Sequence, residues 1–423
     1  MHVAGTIRVP GDKSISHRVL LFAAMARGTT RIGGLLTSLD ARSSARVLRQ
    51  LGASVSPLVA GRVIRIVGRG RLRRPSAALY CGNSGTTTRL LFGLLAAHAF
   101  PATLTGDRSL RRRPMRRVTE PLAAMGAKFV EHGGGGLLPI TVRGGPLHPL
   151  THRMPVSSAQ IKSAILCAGL AGEVPVSVFE PRGRSRDHTE RLLRAFGYQV
   201  EDDGGWVHFR PTGRVVPFDL QVPGDPSSAA FPVAAAVLAE GGEIRISGVC
   251  LNPTRTGFLR VLERMGAGVL SDGVEAQHGE PVGDLIAAPS ALRATEVRAV
   301  EIPGLIDEIP MLAALATRAE GTTVFRQVGE LRVKESDRLG LVARNIRALG
   351  GAAEVVGDDL LVHGGNRPPS GLVRTEGDHR IAMAFAVLGT VPGARVRVDD
   401  LSCAAVSYPG FPEMLRRLRR RPR

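Results

Sequence analysis

The segment VPGDKSIS at residues 9–16 recurs 213 positions later as VPGDPSSA at residues 222–229. In both copies a strand end runs into a Pro-Gly turn, a polar cap follows, and an apolar helix is predicted after the cap. Two such junctions indicate two similarly built halves. We therefore predict two lobes, residues 13–223 forming the first and residues 1–12 with 224–423 forming the second.

A longer repeat runs through both halves. Five amphipathic segments end in a bulky residue followed by glycine and then turn into an apolar strand; the glycines are Gly52, Gly126, Gly197, Gly266 and Gly350. Glycine directly after a helix is the expected left-handed cap. The steps between these glycines are 74, 71, 69 and 84 residues, and a last amphipathic piece lies at 412–420. Such junctions occur in any α/β protein, but their even spacing indicates six units, each with several strands and helices.

The net charge of +19 favours either a nucleic-acid partner or a small anionic substrate. Aromatic residues make up only 4% of the chain, which leaves few platforms for stacked bases. Nearly all the basic residues are arginines, and lysine occurs only at 13, 128, 162 and 334. Because lysine is a compact charge whose pKa shifts readily, Lys13 and Lys334 are candidates for chemistry.

The cysteines and the hydropathy pattern exclude several classes of protein. The four cysteines have no CxxC spacing, so we expect neither a zinc site nor a disulfide framework. The chain shows no signal-peptide pattern and no uninterrupted apolar run of about 18 residues. We therefore expect a cytoplasmic protein with reduced thiols and no membrane span.

Polar clusters recur where apolar helices are predicted to begin. Backbone N–H groups and the helix dipole favour an anion at such positions. In GDKSISHR, Ser14 and Arg18 lie four residues apart and share a helical face. In SSAQIKSA (157–164), two hydroxyls and an amide suit a polyol. An ordinary helix cap would explain any one of these clusters, but we expect their repetition to mark anion-binding sites.

Two clusters in the second half carry carboxylates. Asp307 lies among Ile, Leu and Pro, where an apolar environment raises a carboxyl pKa and suits acid/base catalysis; a helix cap is the alternative. In LRVKESDR (331–338), Lys334 and Arg338 share a predicted helical face, and Glu335 lies three residues before Arg338. A surface salt-bridged helix has the same pattern, but a scarce lysine beside a carboxylate favours a reactive site.

Nine segments resemble, in order, the motifs of one family: GDKSISHR, GNSGTTTRLL, RPM, SSAQIKSA, RDHTE, NPTRTG, IDEIP, LRVKESDR and DHRIAM. They are similar to those of the 5-enolpyruvylshikimate-3-phosphate synthases, and the resemblance covers essentially the whole chain. It implies an α/β, two-lobed enolpyruvyl transferase fold, an inside-out α/β barrel with three βαβαββ repeats in each lobe. It also implies transfer of the enolpyruvyl group of phosphoenolpyruvate to the 5-hydroxyl of shikimate 3-phosphate, without a metal or organic cofactor.

The resemblance implies roles for individual residues. Those that bind shikimate 3-phosphate are Lys13, Ser14, Arg18, Ser157, Ser158, Gln160, Arg186, Asp307 and Lys334. Those that bind phosphoenolpyruvate are Lys13, Gly85, Arg113, Gln160, Arg338 and Arg380. The catalytic residues are Lys13, Asp307, Lys334 and Glu335; Asp307 accepts the proton of the 5-hydroxyl and Glu335 exchanges a proton at the methylene. The first lobe is the shikimate 3-phosphate side, and the second completes the phosphoenolpyruvate site. The implied partners are these two small molecules, with no nucleic acid and no membrane, and the protein is expected to be a monomer.

The chain departs from the family pattern near its C-terminus. Many members carry a lysine shortly before a TFP-like motif, whereas this region is AAVSYPGF with Val406 at the corresponding place. The contact of that lysine is lost or is supplied elsewhere.

Other functions remain as alternatives. An enolpyruvyl transferase that acts on UDP-N-acetylglucosamine typically has a loop cysteine, whereas the loop here is GDRSLRRRPM. An RNA-end-processing or RNA-binding protein of related fold would bind RNA in a salt-sensitive way and release no phosphate. A non-catalytic polyol-phosphate binder would keep the anion clusters but would not require Asp307 and Glu335.

Overall fold

The chain divides into two units, and each VPGD segment lies at a boundary between them. The structure, a computed structural model, describes residues 1–181 and 183–418. The first unit contains residues 11–222 and 277–280. The second contains residues 1–10, residues 223–276 and the described residues from Pro281 onward. The chain passes from one unit to the other within each VPGD segment, after Pro10 and after Val222.

The strands are short. In chain order they are β1 His2–Ile7, β2 Arg27–Gly33, β3 Ser54–Val55, β4 Ile64–Arg69, β5 Leu79–Tyr80, β6 Pro101–Thr105, β7 Lys128–Glu131, β8 Ile140–Arg143, β9 Leu150–Arg153, β10 Val176–Phe179, β11 Gln199–Asp203, β12 Trp206–Arg210, β13 Asp219–Gln221, β14 Gly241–Cys250, β15 Val269–Gln277, β16 Glu280–Ala287, β17 Glu296–Val297, β18 Thr322–Phe325, β19 Ala352–Val356, β20 Asp359–His363, β21 Ser370–Val373 and β22 Arg395–Val398.

The α-helices alternate with these strands. In chain order they are α1 Lys13–Met25, α2 Leu39–Gln50, α3 Gly85–Leu95, α4 Arg116–Ala124, α5 Ala159–Gly172, α6 His188–Ala195, α7 Pro226–Val237, α8 Gly257–Arg264, α9 Ile309–Ala316, α10 Arg338–Ala348, α11 His379–Leu388 and α12 Phe411–Leu418. Residues 419 and 420 of the expected last amphipathic piece lie outside the described residues.

Each unit contains three sheets built on one plan. In the first unit the strand orders are β13-β2-β4-β3, β5-β6-β8-β7 and β9-β10-β12-β11. The first pair in each sheet is parallel and the other pairs are antiparallel, as a βαβαββ repeat requires. In one repeat of each unit, the leading strand comes from a distant part of the chain: β13 pairs with β2, and β1 pairs with β14.

The second unit differs in its last repeat. Its sheets are β1-β14-β16-β15, β17-β18-β20-β19 and the two-stranded β21-β22. Among the described residues, this last repeat contributes β21, α11, β22 and α12.

Three helices form the core of each unit. Helices α1, α3 and α5 in the first unit, and α7, α9 and α11 in the second, are buried along nearly their whole length. Their apolar sequences explain this placement, because a helix that is hydrophobic on all sides is stable only inside a core. The other helices are amphipathic, and five of them, α2, α4, α6, α8 and α10, are followed by the predicted glycine caps. All five of these glycines have positive φ, which confirms the predicted left-handed capping.

Among the described residues, no helix is both long enough and apolar enough to cross a bilayer.

The close contact of α3 with α5 yields a stability prediction. A Cβ added at Gly93 would lie 2.1 Å from the carbonyl oxygen of Ala164, and both groups belong to helix backbones. Alanine favours a helix by about 1 kcal/mol over glycine, but this overpacking costs about 1–3 kcal/mol. We expect Gly93→Ala to lower the free energy of unfolding, measured by urea denaturation.

The matched control is Gly145→Ala in the same unit, where an added Cβ would have no neighbour within 4 Å. Equal stability of the two variants would contradict the packing described for α3 and α5.

Candidate functional site

The residues singled out from the sequence form two groups, one in each unit. The first unit holds Lys13, Ser14, Arg18, Gly85, Arg113, Ser157, Ser158, Gln160 and Arg186. The second unit holds Asp307, Lys334, Glu335, Arg338 and Arg380. Most of these residues lie at the starts of core helices or in the turns that precede them, and so their backbones are held by buried elements.

Lys13 opens helix α1. The buried carboxylate of Asp12 caps this helix by accepting a hydrogen bond of 2.8 Å from the backbone N–H of Ile15. The Lys13 ammonium lies 2.5 Å from a carboxylate oxygen of Asp40, in the first turn of α2. The lysine side chain is 17% exposed, so its ammonium remains partly accessible to a ligand. Asp40 could not be predicted from a local pattern, because the pair joins two separate helices.

Arg18 lies one turn after Ser14 in α1, and only 2% of it is exposed. Its guanidinium donates to the backbone carbonyl of Ser14 (2.9 Å), and to the hydroxyls of Ser163 and Thr189 (2.7 Å each). These acceptors are uncharged, so they orient the guanidinium group without compensating its charge. Burial lowers the pKa of Arg18, and so does its neighbour Arg186, whereas nearby acidic groups oppose the shift. The Arg18 guanidinium is therefore oriented by neutral hydrogen-bond acceptors and keeps its positive charge.

Lys162 is the lysine whose role the sequence did not indicate. It is 1% exposed, and its ammonium lies 2.6 Å from Glu180 and 2.7 Å from Glu190. Burial alone would lower the pKa of this ammonium, but the two carboxylates together raise it. Ser185 donates its backbone N–H and its hydroxyl to Glu180. Lys162 therefore ties α5 to α6 and to the loop before α6, which supports the elements that hold Arg18.

Two guanidiniums converge above Gly85, the first residue of α3. A Cβ added there would lie 3.0 Å from a terminal nitrogen of Arg89 and 3.4 Å from one of Arg113. Arg113 is 7% exposed and donates to the amide oxygen of Asn83 at 2.6 Å. Because glycine has no Cβ, the two guanidinium groups can lie close to the N-terminus of α3, where positive charge and free backbone N–H groups favour an anion.

Gln160 belongs to the same cluster. Its amide oxygen accepts from Arg89, and its amide nitrogen donates to the hydroxyl of Thr86 at 3.0 Å. Ser158 caps α5 by position, without a hydrogen bond from its side chain to the helix. The hydroxyl of Ser157 donates to the carbonyl of Gly183 at 3.0 Å. The sequence indicated Gln160 and the serines but not Arg89, which lies inside a quoted motif and could have been found there.

Arg338 is the centre of the group in the second unit. It is 1% exposed and makes ion pairs with Asp378 (2.8 Å), Asp307 (3.2 Å) and Glu335 (2.6 Å). Burial opposes its charge, but these carboxylates together raise its pKa. Asp378 also caps α11 by accepting from the backbone N–H of Arg380. Three sequence motifs thus meet at one guanidinium, and the alternative of a surface salt-bridged helix is excluded for Arg338. The predicted helical face shared by Lys334 and Arg338 is wrong, because α10 begins only at Arg338.

Arg380 is the second guanidinium, besides Arg338, that contacts Asp307. It donates to the Asp307 carbonyl at 3.0 Å, and its guanidinium lies 3.6 Å from the Asp307 carboxylate. It also lies 3.7 Å from Glu308, which is 2% exposed and accepts from the hydroxyl of Ser227. Asp307 therefore lies between two guanidiniums and is held by both its backbone and its side chain.

Arg255 of the NPTRTG motif is hydrogen-bonded to residues that contact the second unit's site cluster. Arg255 is 2% exposed and donates to the carboxylate of Asp225 (3.0 Å) and to the hydroxyl of Ser227 (2.9 Å). Asp225 is the N-cap of α7 in the second VPGD segment. A continuous buried polar network therefore connects that segment through Glu308 to Arg380.

Lys334 is half-buried close to Asp307 and Arg338. Burial lowers the pKa of its ammonium; Asp307 opposes this shift and Arg338 adds to it. Since a lowered pKa makes proton transfer easier near neutral pH, this lysine is suited to act as an acid or base. Val406 ends a 3-10 turn, Ser402–Val406, that packs on α11. That turn contains no cationic residue, so it supplies no replacement for the family's lysine.

A family model described as EPSP synthase (3-phosphoshikimate 1-carboxyvinyltransferase) matches residues 1–415. A relative from Gloeobacter violaceus, named 3-phosphoshikimate 1-carboxyvinyltransferase, is 48% identical over 419 residues, which cover 99% of this chain and 97% of that protein. A relative of the same name from Desulforamulus reducens is 45% identical over 413 residues, covering 97% of this chain and 96% of that protein.

Solved structures agree with these relatives. An EPSP synthase from Acinetobacter baumannii superimposes with a TM-score of 0.87 at 39% identity, covering 99% of this chain and 96% of that chain. The enolpyruvyl transferase NikO from Streptomyces tendae is only 20% identical and has a TM-score of 0.77, covering 99% of this chain and 95% of that chain, so it informs the fold alone. The predicted α/β enolpyruvyl transferase fold is confirmed.

The environment of Lys334 yields a titration prediction. Acylation with acetic anhydride, followed by mass spectrometry across a pH series, reports the neutral fraction of each lysine. We expect the midpoint for Lys334 to lie below the value of about 10.4 for a free lysine, because burial disfavours its charged form. In Asp307→Asn the midpoint should fall further, because the carboxylate that favours the ammonium is removed.

The control is Asp272→Asn, at an exposed position of β15 in the same unit. The described environment of Lys334 is wrong if the wild-type midpoint is not lowered, or if both variants shift it equally.

Proposed function

This chain belongs to the EPSP synthase family, and on that basis we propose that it transfers the enolpyruvyl group of phosphoenolpyruvate to the 5-hydroxyl of shikimate 3-phosphate. The products are 5-enolpyruvylshikimate 3-phosphate and inorganic phosphate. Within the chain, the observation that carries the proposal is the arrangement around Asp307. A carboxylate fixed by Arg338 and Arg380 lies close to a lysine with a lowered pKa, which supplies a base and an acid together.

The reaction needs proton transfers at two places. Asp307 accepts the proton of the 5-hydroxyl as that oxygen bonds to C2 of phosphoenolpyruvate, while a proton is added to the C3 methylene. The tetrahedral intermediate then breaks its C2–O bond to phosphate and loses a proton from C3, which restores the double bond. Lys334 and Glu335 are assigned to the proton transfers at C3, and Lys13 to the departing phosphate. The carboxylate of Glu335 lies 2.6 Å from Arg338, so its charge is held in place.

Shikimate 3-phosphate is assigned to the first unit's hydroxyls, amide and cations, with Asp307 and Lys334 of the second unit. The residues assigned to it in the first unit are Lys13, Ser14, Arg18, Ser157, Ser158, Gln160 and Arg186. Hydroxyl and amide groups suit the ring hydroxyls, and Arg18 with Arg186 suits an oxyanion. The neutral partners of Arg18 support this assignment, because they leave its charge for a ligand.

Phosphoenolpyruvate is assigned to Lys13, Gly85, Arg113, Gln160, Arg338 and Arg380. Its carboxylate and phosphate both suit guanidinium forks. The two guanidinium groups beside Gly85, those of Arg89 and Arg113, support an anion there. Arg89 also donates to Gln160, so we add it to the assigned residues.

Both proposed substrates are small anions, which accounts for the cationic character of these groups without a nucleic-acid partner. We further propose that the protein acts as a cytoplasmic monomer, binds neither nucleic acid nor membranes, and uses no metal or organic cofactor.

The first experiment measures phosphate release from phosphoenolpyruvate with shikimate 3-phosphate. We expect turnover by the wild-type protein and a loss of kcat of about 100-fold or more in Lys13→Arg, where charge persists but the compact ammonium does not. Lys128→Arg, on strand β7, is the matched control and should keep wild-type kcat. Absence of turnover with folded wild-type protein would contradict the function, and equal kcat in the two variants would show that Lys13 is incidental.

Asp307→Asn tests the proposed base. The amide keeps the shape but cannot accept the proton, so we expect kcat to fall about 10²- to 10⁴-fold. Asp272→Asn, far from the assigned residues in sequence and exposed, should retain wild-type kcat. A wild-type kcat in Asp307→Asn would remove Asp307 from the mechanism.

A further inference from the structure

A second cationic feature lies in the first unit, at the opposite ends of its core helices. A cavity of about 850 Å³ is lined by the last residue of α1, by residues 97–101 after α3, and by the last turn of α5. Those three helices begin at Lys13, Gly85 and Ala159, within the group assigned to catalysis. They have 13, 11 and 14 residues, so their two ends are about 16–21 Å apart. The cavity is therefore separate from the first unit's helix starts.

The residues that line this cavity include both apolar side chains and positively charged ones. The apolar side chains include Met25, Leu72, Phe100, Pro101 and Leu170. Five arginines and a single glutamate also line the cavity; they are Arg71, Arg73, Arg74, Arg143, Arg214 and Glu173. The volume is within the range of about 300–1,000 Å³ typical of small-molecule sites, and such sites combine apolar walls with a few polar groups.

The charge of this cavity is not compensated within the described chain. Glu173 lies 3.5 Å from Arg214, and both side chains are well exposed. The side chains of Arg71, Arg74 and Arg143 make no hydrogen bond or ion pair with any described residue. Guanidinium groups that line one cavity repel one another. A bound oxyanion would reduce this repulsion and accept paired hydrogen bonds from them.

Backbone N–H groups supply part of the capping of the helices that end here. Each helix has one carbonyl near its end with such a donor: Gly70 N–H donates to Ala26, Gly145 N–H to Ala96, and Val174 N–H to Gly169. The negative ends of three helix dipoles amount to about −1.5 charges, which is less than the excess of four arginines over acid. The helix ends therefore leave a net positive charge.

The segment that carries three of the arginines is fixed in place. Its backbone N–H groups at Leu72 and Arg73 donate to the His98 ring and to the Leu51 carbonyl, at 3.1 and 2.8 Å. The other ring nitrogen of His98 bonds the Leu94 carbonyl at 2.9 Å. The stem of Arg73 packs against Gly52, where an added Cβ would lie 2.8 Å from its Cδ. The side chains therefore extend from an ordered backbone, which reduces the entropy lost on binding.

The second unit provides an internal comparison. Its cavity at the ends of α9, α10 and α11 has only about 230 Å³ and two arginines, Arg318 and Arg367. There the Arg318 guanidinium donates to the backbone carbonyls of residues 366 and 367. A large cavity with several unpaired guanidiniums is thus not a necessary consequence of the repeat architecture.

We propose that the first unit's cavity is a binding site for a small molecule that carries two or more phosphate or carboxylate groups on an apolar or ring-shaped body. The limited volume favours a small molecule over a membrane surface or a nucleic acid. Because this site uses none of the residues assigned to catalysis, it does not depend on the proposed reaction.

The test is isothermal titration calorimetry with inorganic pyrophosphate and, as the carboxylate probe, citrate, at constant ionic strength. Hydrogen exchange measured by mass spectrometry locates the binding. We expect pyrophosphate or citrate to slow exchange in peptides that cover residues 70–74 and 96–101. Arg71→Ala/Arg74→Ala should raise the Kd for that binding about tenfold or more, because two forks are lost.

The matched control is Arg62→Ala/Arg210→Ala, which removes the same charge from exposed positions of the same unit outside the cavity. It should keep the wild-type Kd within about twofold. If Arg71→Ala/Arg74→Ala unfolds, Arg71→Lys/Arg74→Lys retains the charge and should still weaken binding through loss of the fork.

Three results would overturn the proposal. The first is that neither probe binds the wild-type protein with protection of these peptides. The second is equal weakening in the cavity variant and in the Arg62→Ala/Arg210→Ala control. The third is that phosphatidylglycerol vesicles or single-stranded RNA protect these peptides while both small probes do not, which would assign the arginines to a macromolecular surface.

Discussion

The cluster of candidate site residues in the second unit depends on the hydrogen bonds that the Asp378 carboxylate accepts. This carboxylate accepts from the backbone N–H of Arg380 at the start of α11, and it binds the Nε of Arg338 at 2.8 Å. Arg338 is almost fully buried, so removing this partner would leave a positive charge with less compensation inside the protein, a change that costs several kcal/mol. Asp225 acts similarly, since it caps α7 and binds the buried Arg255. The charges are thus attached to the ends of helices whose bodies cannot move without disturbing the core.

This attachment has a consequence for catalysis. Groups that stabilise a developing charge are most effective when they are already oriented, because no reorganisation is then needed during the reaction. The protein orients Arg18 with neutral oxygens and Arg338 with carboxylates. The first arrangement keeps positive charge available for a phosphate, whereas the second brings acidic groups close to Lys334. In the proposed mechanism, both units bind anions, and the second unit also carries out proton transfer.

Local patterns in the sequence predicted the glycine caps and the polar starts of the core helices, whereas the family resemblance implied the fold. The caps and helix starts depend on residues within one turn of each other. The partners of the site residues could not be predicted in this way, because Lys13 with Asp40, Arg89 with Gln160, and Lys162 with Glu180 come from separate elements. The pairing of β13 with β2 joins residues 188 positions apart. The arginine-lined cavity was also missed, since no single segment carries it.

The most direct test of the account is the identity of the product. Phosphoenolpyruvate and shikimate 3-phosphate are incubated with the protein in D₂O and followed by ¹H and ³¹P NMR. The account predicts a new pair of vinyl proton signals from an enol ether, an equal amount of inorganic phosphate, and deuterium in the methylene through reversible protonation at C3. Spectra that stay unchanged in the presence of folded protein, or phosphate release without the new vinyl signals, would contradict enolpyruvyl transfer.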